Sequence, residues 1–540
     1  MISDTLEGLG EHRHDVCVIG SGPVGIALAL ELERLGRTVL VLESGGLTAE
    51  PEAQSLSNAH IVDPARHDDM RIAVARRLGG TSNLWGGRCL PYDPIDFEPR
   101  VVVGGAMWPI GYDDVAPHIA AATRYAMAGE PVFAVADADP SGAEFQMSSL
   151  ERWSCIRQLQ RAHQRALTSS TKIDLRLHAT LVGLDRRERR IDGITVVGRD
   201  GRRIAVPVAD LVLAMGGLET TRLLLNEQQR SPQLFGGPEG PLGRYYMGHV
   251  IGEIADIVFA NDAVDRLFEF EIDKCSYVRR RLTPASRTQR EHGLMNIALW
   301  PVVPRISDAR HGDGFLSSIA LALSVPWLGR RLIAEAIRKR HIPDGMARLP
   351  HLKNLVTDLP QTALAVPRLL WNRYAAAIPV PGFYKHNAAR RYGLSYHSEQ
   401  APSWPSRVRL SPDSDRTGVR RLEIDLRFSQ GDADSVVRCH DLLADWLARS
   451  GIGRLEFRDP AEGRHASVLA QASHGTHQIG TARMAASRQN GVVDRDLRVF
   501  DADNLYVASS AVLPTSGQAN PTLTVMALAM RLAAKLAAGG

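Results

Sequence analysis

The stretch Asp15–Gly25, DVCVIGSGPVG, constrains this chain more than any other. A short apolar run of strand type enters three glycines, Gly20, Gly22 and Gly25, in GxGxxG spacing. A helical pattern follows through Ile26, Leu30, Leu32 and Leu35 and ends at Gly36. TVLVLE then reads as a second strand closing on Glu43, 18 residues past the last glycine. Strand, glycine turn, helix, strand and acid in that order predict a Rossmann-like α/β unit that binds a dinucleotide. The glycines let backbone approach a pyrophosphate where Pro23 and Val24 open the helix, and Glu43 can accept from ribose hydroxyls. An acid at that position disfavours a 2′-phosphate, and the motif alone does not choose between NAD and FAD.

With 540 residues the chain has room for about three to four domain-sized units. A net charge of +4 gives no strong field, so neither nucleic acid nor an anionic membrane is an expected partner. The N-terminus has no apolar signal core, and no apolar run of spanning length is present. The expectation is a cytoplasmic protein without a transmembrane span. Cys17, Cys89, Cys155, Cys275 and Cys439 are odd in number and widely spaced, with no CxxC pair. That argues against a disulfide framework, a structural zinc or an iron–sulfur cluster.

A second glycine cluster, RRLGGTSNLWGGRC, carries Gly79, Gly80, Gly86 and Gly87 around Thr81, Ser82, Asn83 and Trp85. Such density permits close backbone approach to a large planar cofactor, with Asn83 at its polar edge and Trp85 beside it. Leu177–Leu225 reads as strands and a hairpin, then a buried strand Asp210–Ala214 and a turn at Gly216–Gly217 opening a helix. Residues 250–455 are less legible. SRVRL and RLEIDLRF alternate like sheet, and Phe315–Pro379 is helical and broken by prolines. Within it Ile319–Arg340 mixes an apolar stripe with five basic residues, which leaves a lid, an oligomer interface or a membrane-surface helix open.

Near the C-terminus SHGTHQIGTARM sets His474 and His477 three apart. By residues alone this is a metal pair, a base with a bystander, or packing. Gly475 between them favours irregular backbone, and a metal pair would need a third ligand and a suitable geometry, so no metal is expected. NLYVASS reads as a last buried strand, and Pro521 starts a final helix with Asn520 at its N-cap.

The N-terminal GxGxxG, Glu43, the GGTSNLWGG loop and the C-terminal stretch together resemble the glucose–methanol–choline (GMC) oxidoreductases, FAD enzymes that oxidise alcohols. The resemblance covers about residues 14–110, 175–250 and 470–540. It implies FAD contacts from Gly80, Thr81, Ser82, Asn83, Trp85, Gly86 and Gly87. It adds Ala179–Leu181, Ala214 and Gly216 at the adenosine end, and Ala508, Ser509, Asn520, Pro521 and Thr522 at the flavin. His477 matches the family's catalytic histidine by its offset to Gly480-Thr481, and Asn520 matches its second catalytic position. Some relatives join flavin covalently to a histidine of the glycine loop. The matching position here is Leu84, which implies non-covalent FAD. Where Gly248 stands the family usually has Asp, which removes the support for a role of His249.

The implied architecture is a discontinuous FAD-binding domain, 1–110, 170–250 and 465–540. An α+β substrate domain on an antiparallel sheet would take 111–169 and 251–464, with a helical insertion at about 315–380. The implied activity is oxidation of a CH–OH group, nearest to bacterial members acting on sugars, glycosides and polyols. An aliphatic or biosynthetic-scaffold alcohol is the alternative, and a non-catalytic electron-relay flavoprotein is a second. The expected partners are a small-molecule alcohol and an external electron acceptor: oxygen, a quinone or a partner protein. Homo-oligomerisation is left open.

Overall fold

The computed structural model describes residues 2–136, 142–325, 346–360, 362–364 and 384–539. Six strands form one all-parallel sheet: β1 (Ile2–Ser3), β2 (Val16–Ile19), β3 (Val39–Leu42), β4 (Ile173–Arg176), β5 (Asp210–Leu213) and β6 (Leu505–Val507). Their order is β1-β4-β3-β2-β5-β6. β2 and β3 are apolar and buried at every position, as a parallel sheet covered on both faces requires. Three segments distant in sequence thus build one layer, and the first and last strands of its central part lie either side of β5.

Helix α1 (Pro23–Arg34) covers one face and packs on α3 (Pro521–Ala538). Among the described residues α3 alone is long and apolar enough to cross a membrane. Most of it is buried in this core, which accounts for its composition. Helix α2 (Gly217–Arg230) follows β5. Between β4 and β5 runs an antiparallel meander, Thr180–Arg187, Arg190–Val197 and Arg203–Pro207.

A second hydrophobic cluster lies on a four-stranded antiparallel sheet ordered Ile297–Val302, Arg391–Glu399, His249–Phe259 and Gly453–Phe457. The alternating runs of the sequence form a hairpin, Arg407–Ser414 with Arg420–Asp425, edged by His60–Ile61. In the insertion, helices Gly314–Ser324 and Arg348–Thr357 pack on each other. The basic part of the Ile319–Arg340 run lies outside the described residues.

One cysteine expectation is corrected. Cys155 and Cys275 form a disulfide across a separation of 120 residues, while Cys17, Cys89 and Cys439 are free and buried. Sequence spacing gave no hint, because the pairing depends on a β-ladder between Leu150–Trp153 and Ser276–Arg280 that brings the two loops together.

Candidate active site

A cavity of about 740 Å³ runs from the first glycine turn to the C-terminal histidines. That volume lies within the roughly 300–1,000 Å³ of small-molecule and cofactor sites. Gly20, Gly22, Pro23, Val24, Glu43, Gly80, Thr81, Ser82, Trp85 and Gly86 line it from the N-terminal segments. Leu181, Ala214 and Gly216 line it from the middle, and His477, Ser509, Asn520, Pro521 and Thr522 from the C-terminal end. Gly25, Asn83 and Gly87 stand behind the wall. Asn83 donates to the Leu78 and Gly80 carbonyls and accepts from Gln160, so its side chain shapes the loop.

The two glycine segments touch: a Cβ on Gly80 would sit 2.7 Å from the Gly22 Cα. Gly20 lies equally tight on β5, where a Cβ would come 2.7 Å from the Ala214 carbonyl oxygen. The Glu43 carboxylate is fixed by the Ser21 amide (3.0 Å) and hydroxyl (2.7 Å) and by the Gly45 amide (2.9 Å). Two buried polar atoms at the far end, Ser509 Oγ and Asn520 Oδ1, have no hydrogen-bond partner in the protein. A glycine cradle, a fixed acid at the end of the second strand and orphaned polar atoms at the opposite end fit a long dinucleotide such as FAD.

His477 is held on an irregular loop, as Gly475 suggested. Ile479 and Met247 exchange backbone hydrogen bonds at 3.1 and 3.0 Å, laying the segment before His249 antiparallel to the His477 loop. The Leu218 amide donates to Gln478 Oε1 at 3.1 Å, and the Thr221 and Thr481 hydroxyls meet at 2.7 Å. These contacts tie the loop to the start of α2. Asn520 occupies the N-cap of α3, but its side chain does not cap the helix. Its Nδ2 instead donates to His477 Nε2 at 3.2 Å. The N-cap expectation therefore holds for backbone position and fails for the side chain.

Sequence reasoning missed two members of this site. His249 Nδ1 lies 2.9 Å from His477 Nδ1, and His249 Nε2 donates to the Ser516 carbonyl at 3.2 Å. His397 stacks on His249 with centroids 4.1 Å apart and lines the cavity. His474 lies with its ring centroid 4.5 Å from that of His477 and hydrogen bonds Thr476 Oγ1 through Nε2. The missing signal was strand pairing: His249 opens one strand and His397 sits on its neighbour, opposite Ile251.

Burial holds all four imidazoles neutral. His477 is lowered well below 6.5 by desolvation, then by His474, His249 and Arg88. His249 is lowered well below 6.5 by desolvation, then by His397 and His474. His397 follows for desolvation and Arg88, and desolvation takes His474 to about 3. The ring nitrogens of His249, His474 and His477 lie within 4.8 Å of one another. Two of them are hydrogen bonded directly to each other, the arrangement of a proton-sharing pair.

Comparison with known proteins agrees with this geometry. Residues 402–529 match the family model described as GMC oxidoreductase. A 2-methyl-1,2-propanediol dehydrogenase of Mycolicibacterium austroafricanum is 21% identical, over 96% of this chain and 94% of its own. A 6'''-hydroxyparomomycin C oxidase of Streptomyces lividus is 25% identical, over 99% of this chain and 93% of its own. Among solved structures, pyridoxine 4-oxidase from Mesorbium loti has the same fold, with a TM-score of 0.54 at 17% identity, covering 96% of this chain and 98% of its own. A glycine cradle at one end of the cavity and a half-buried histidine–asparagine pair at the other fit a flavoprotein oxidoreductase. The chain is similar to glucose–methanol–choline oxidoreductases along nearly its whole length and is an FAD-dependent oxidoreductase acting on CH–OH groups.

Proposed function

We propose that this enzyme oxidises a secondary or primary hydroxyl of a sugar, glycoside or polyol to a carbonyl, with His477 as the base. The contact between Asn520 Nδ2 and His477 Nε2 at 3.2 Å carries this reading, because it sets a neutral base and an amide side by side on the cavity wall. The names of the two relatives, a 2-methyl-1,2-propanediol dehydrogenase and a 6'''-hydroxyparomomycin C oxidase, support a substrate with more than one hydroxyl.

FAD, when bound, supplies the acceptor for the hydride leaving the carbinol carbon. The chain's residues do the rest. His477 Nε2 takes the hydroxyl proton, and its low pKa keeps it free to do so at neutral pH. The Asn520 amide orients the substrate oxygen and steadies its developing charge without adding a second base. The cofactor-binding residues are those on the cavity wall named above, and FAD is held without a covalent bond because Leu84 offers no nucleophile.

An anaerobic panel of sugars, glycosides, short diols and aliphatic alcohols, read as bleaching of the yellow protein, tests the substrate class. Bleaching by polyhydroxylated compounds is expected. Bleaching by aliphatic alcohols alone would move the reading to that class, and bleaching by none would favour an electron-relay flavoprotein.

A further inference from the structure

We propose that His249 is a positioning residue for His477: it fixes the tautomer that leaves His477 Nε2 bare and pointing along the Asn520 contact. The proposal rests on the reading of His477 as the base. The Ser516 carbonyl can only accept, so His249 Nε2, 3.2 Å away, carries a proton. A neutral imidazole has one N–H, so His249 Nδ1 is a lone pair. That lone pair faces His477 Nδ1 at 2.9 Å, so His477 Nδ1 carries the proton. The lone pair of neutral His477 is then at Nε2, where the Asn520 Nδ2 donor meets it at 3.2 Å.

The opposite arrangement fails at each link. A proton on His249 Nδ1 would leave a bare Nε2 against a carbonyl oxygen. Shifting only the His477 proton would set two lone pairs against each other at the Nδ1 contact. The Ser516 carbonyl accepts whichever way the Asn520 amide faces, so the order of protons along the relay is set from that end.

The anchor is rigid. The Gln400 amide donates to Ser516 Oγ at 2.8 Å, and Ser516 Oγ donates back to the Gln400 carbonyl at 3.1 Å. Gln400 Oε1 also accepts from the Gly248 amide at 2.7 Å, so one residue, by its backbone and its side chain, holds both ends of the relay. Stacking on His397 fixes the His249 ring plane. In the reaction the substrate O–H bond breaks, its proton goes to His477 Nε2, and the Nδ1 proton stays on His477. The Nδ1–H···Nδ1 contact to His249 then becomes charge-assisted and shortens. The acceptor is a neutral imidazole rather than a carboxylate, so the base is oriented with a smaller rise in its pKa than a carboxylate would cause.

The test uses the holoenzyme. Nitrogen-15 histidine NMR of the resting protein should show His477 with Nδ1 protonated and Nε2 bare, the reverse of the commoner imidazole tautomer. A protonated Nε2 would overturn the proposal, and this readout does not depend on finding a substrate. Two variants then separate positioning from packing. His249→Leu removes the acceptor, and His249→Asn returns one at the δ position. The leucine variant should lose about 10- to 100-fold in the rate of anaerobic flavin reduction, with little change in the substrate concentration giving half-maximal rate. The asparagine variant should recover most of that loss. Equal rates in the two variants, or a wild-type rate with leucine, would refute the role. If no alcohol reduces the wild-type protein, the reading of His477 as base fails while the tautomer remains decided by NMR.

Discussion

Gly248 and His474 are a matched pair: a Cβ added to Gly248 would lie 2.6 Å from the His474 Cβ. A side chain at position 248, such as Asp, and the His474 side chain would compete for one space. Gly248→Ala should cost about 1–3 kcal/mol, the usual penalty of overpacking. His474→Gly in the same chain, which removes the opposing Cβ, should return much of it. Chemical denaturation of both single variants and the double variant forms the cycle. Strictly additive losses would show that the two positions do not share that space.

His477→Ala should lower turnover by about 10²–10⁴ while the protein still binds flavin, because the cradle lies elsewhere in the cavity. Asn520→Ala should slow flavin reduction as well, since His477 Nε2 loses its neighbour and the substrate oxygen its donor. Single-turnover reduction followed at the flavin absorbance is the measurement. A wild-type rate in either variant removes that residue from the mechanism.

Leu84 stands in the glycine loop where some relatives carry a flavin-linked histidine, and leucine has no atom able to form that bond. Acid precipitation should therefore release all the flavin into the supernatant. Flavin retained in the protein pellet would show a covalent link made by another residue.

The disulfide yields a simple count. With Cys155 and Cys275 joined, denatured protein should react with three equivalents of a thiol reagent, from Cys17, Cys89 and Cys439. Protein made in a reducing compartment should titrate five. Cys155→Ser should cost about 2–4 kcal/mol relative to the oxidised chain. An unchanged denaturation midpoint in the presence and absence of reductant would dismiss a stabilising role.

The fold was most legible where local chemistry repeats a rule. DVCVIGSGPVG became β2 and the start of α1, and NLYVASSAVLPTSGQANPT became β6, a loop and the start of α3. His477 and Asn520 were legible because short motifs surround them. His249 and His397 were not, because their nearness depends on ladder register between strands about 140 residues apart in sequence. The Cys155–Cys275 pair was hidden for the same reason. Asn520 shows the limit of a local rule: its sequence position predicts a cap, yet its side chain turns to a tertiary partner, His477.

The neutral histidine cluster makes acid stability a test of the site. His249, His397, His474 and His477 have folded pKa values below the 6.5 of the unfolded chain. The sign follows from proton counting. Below pH 6.5 the unfolded chain binds protons that the folded chain refuses, so stability is full above that pH and falls as pH drops through it. Each histidine contributes a slope of about 1.4 kcal/mol per pH unit in that window. Raised carboxyl groups such as buried Asp96, desolvated beside Glu399 and Asp93, act in the opposite direction and partly offset the slope. A difference measurement separates the terms. His474→Gln removes one titrating ring and leaves Asp96 untouched, so its stability between pH 6 and pH 5 should fall less steeply than wild type, by about 1.4 kcal/mol per pH unit. Denaturant midpoints across that range provide the comparison. Parallel curves would mean that His474 is already charged in the folded protein, and the neutral cluster around His477 would have to be abandoned.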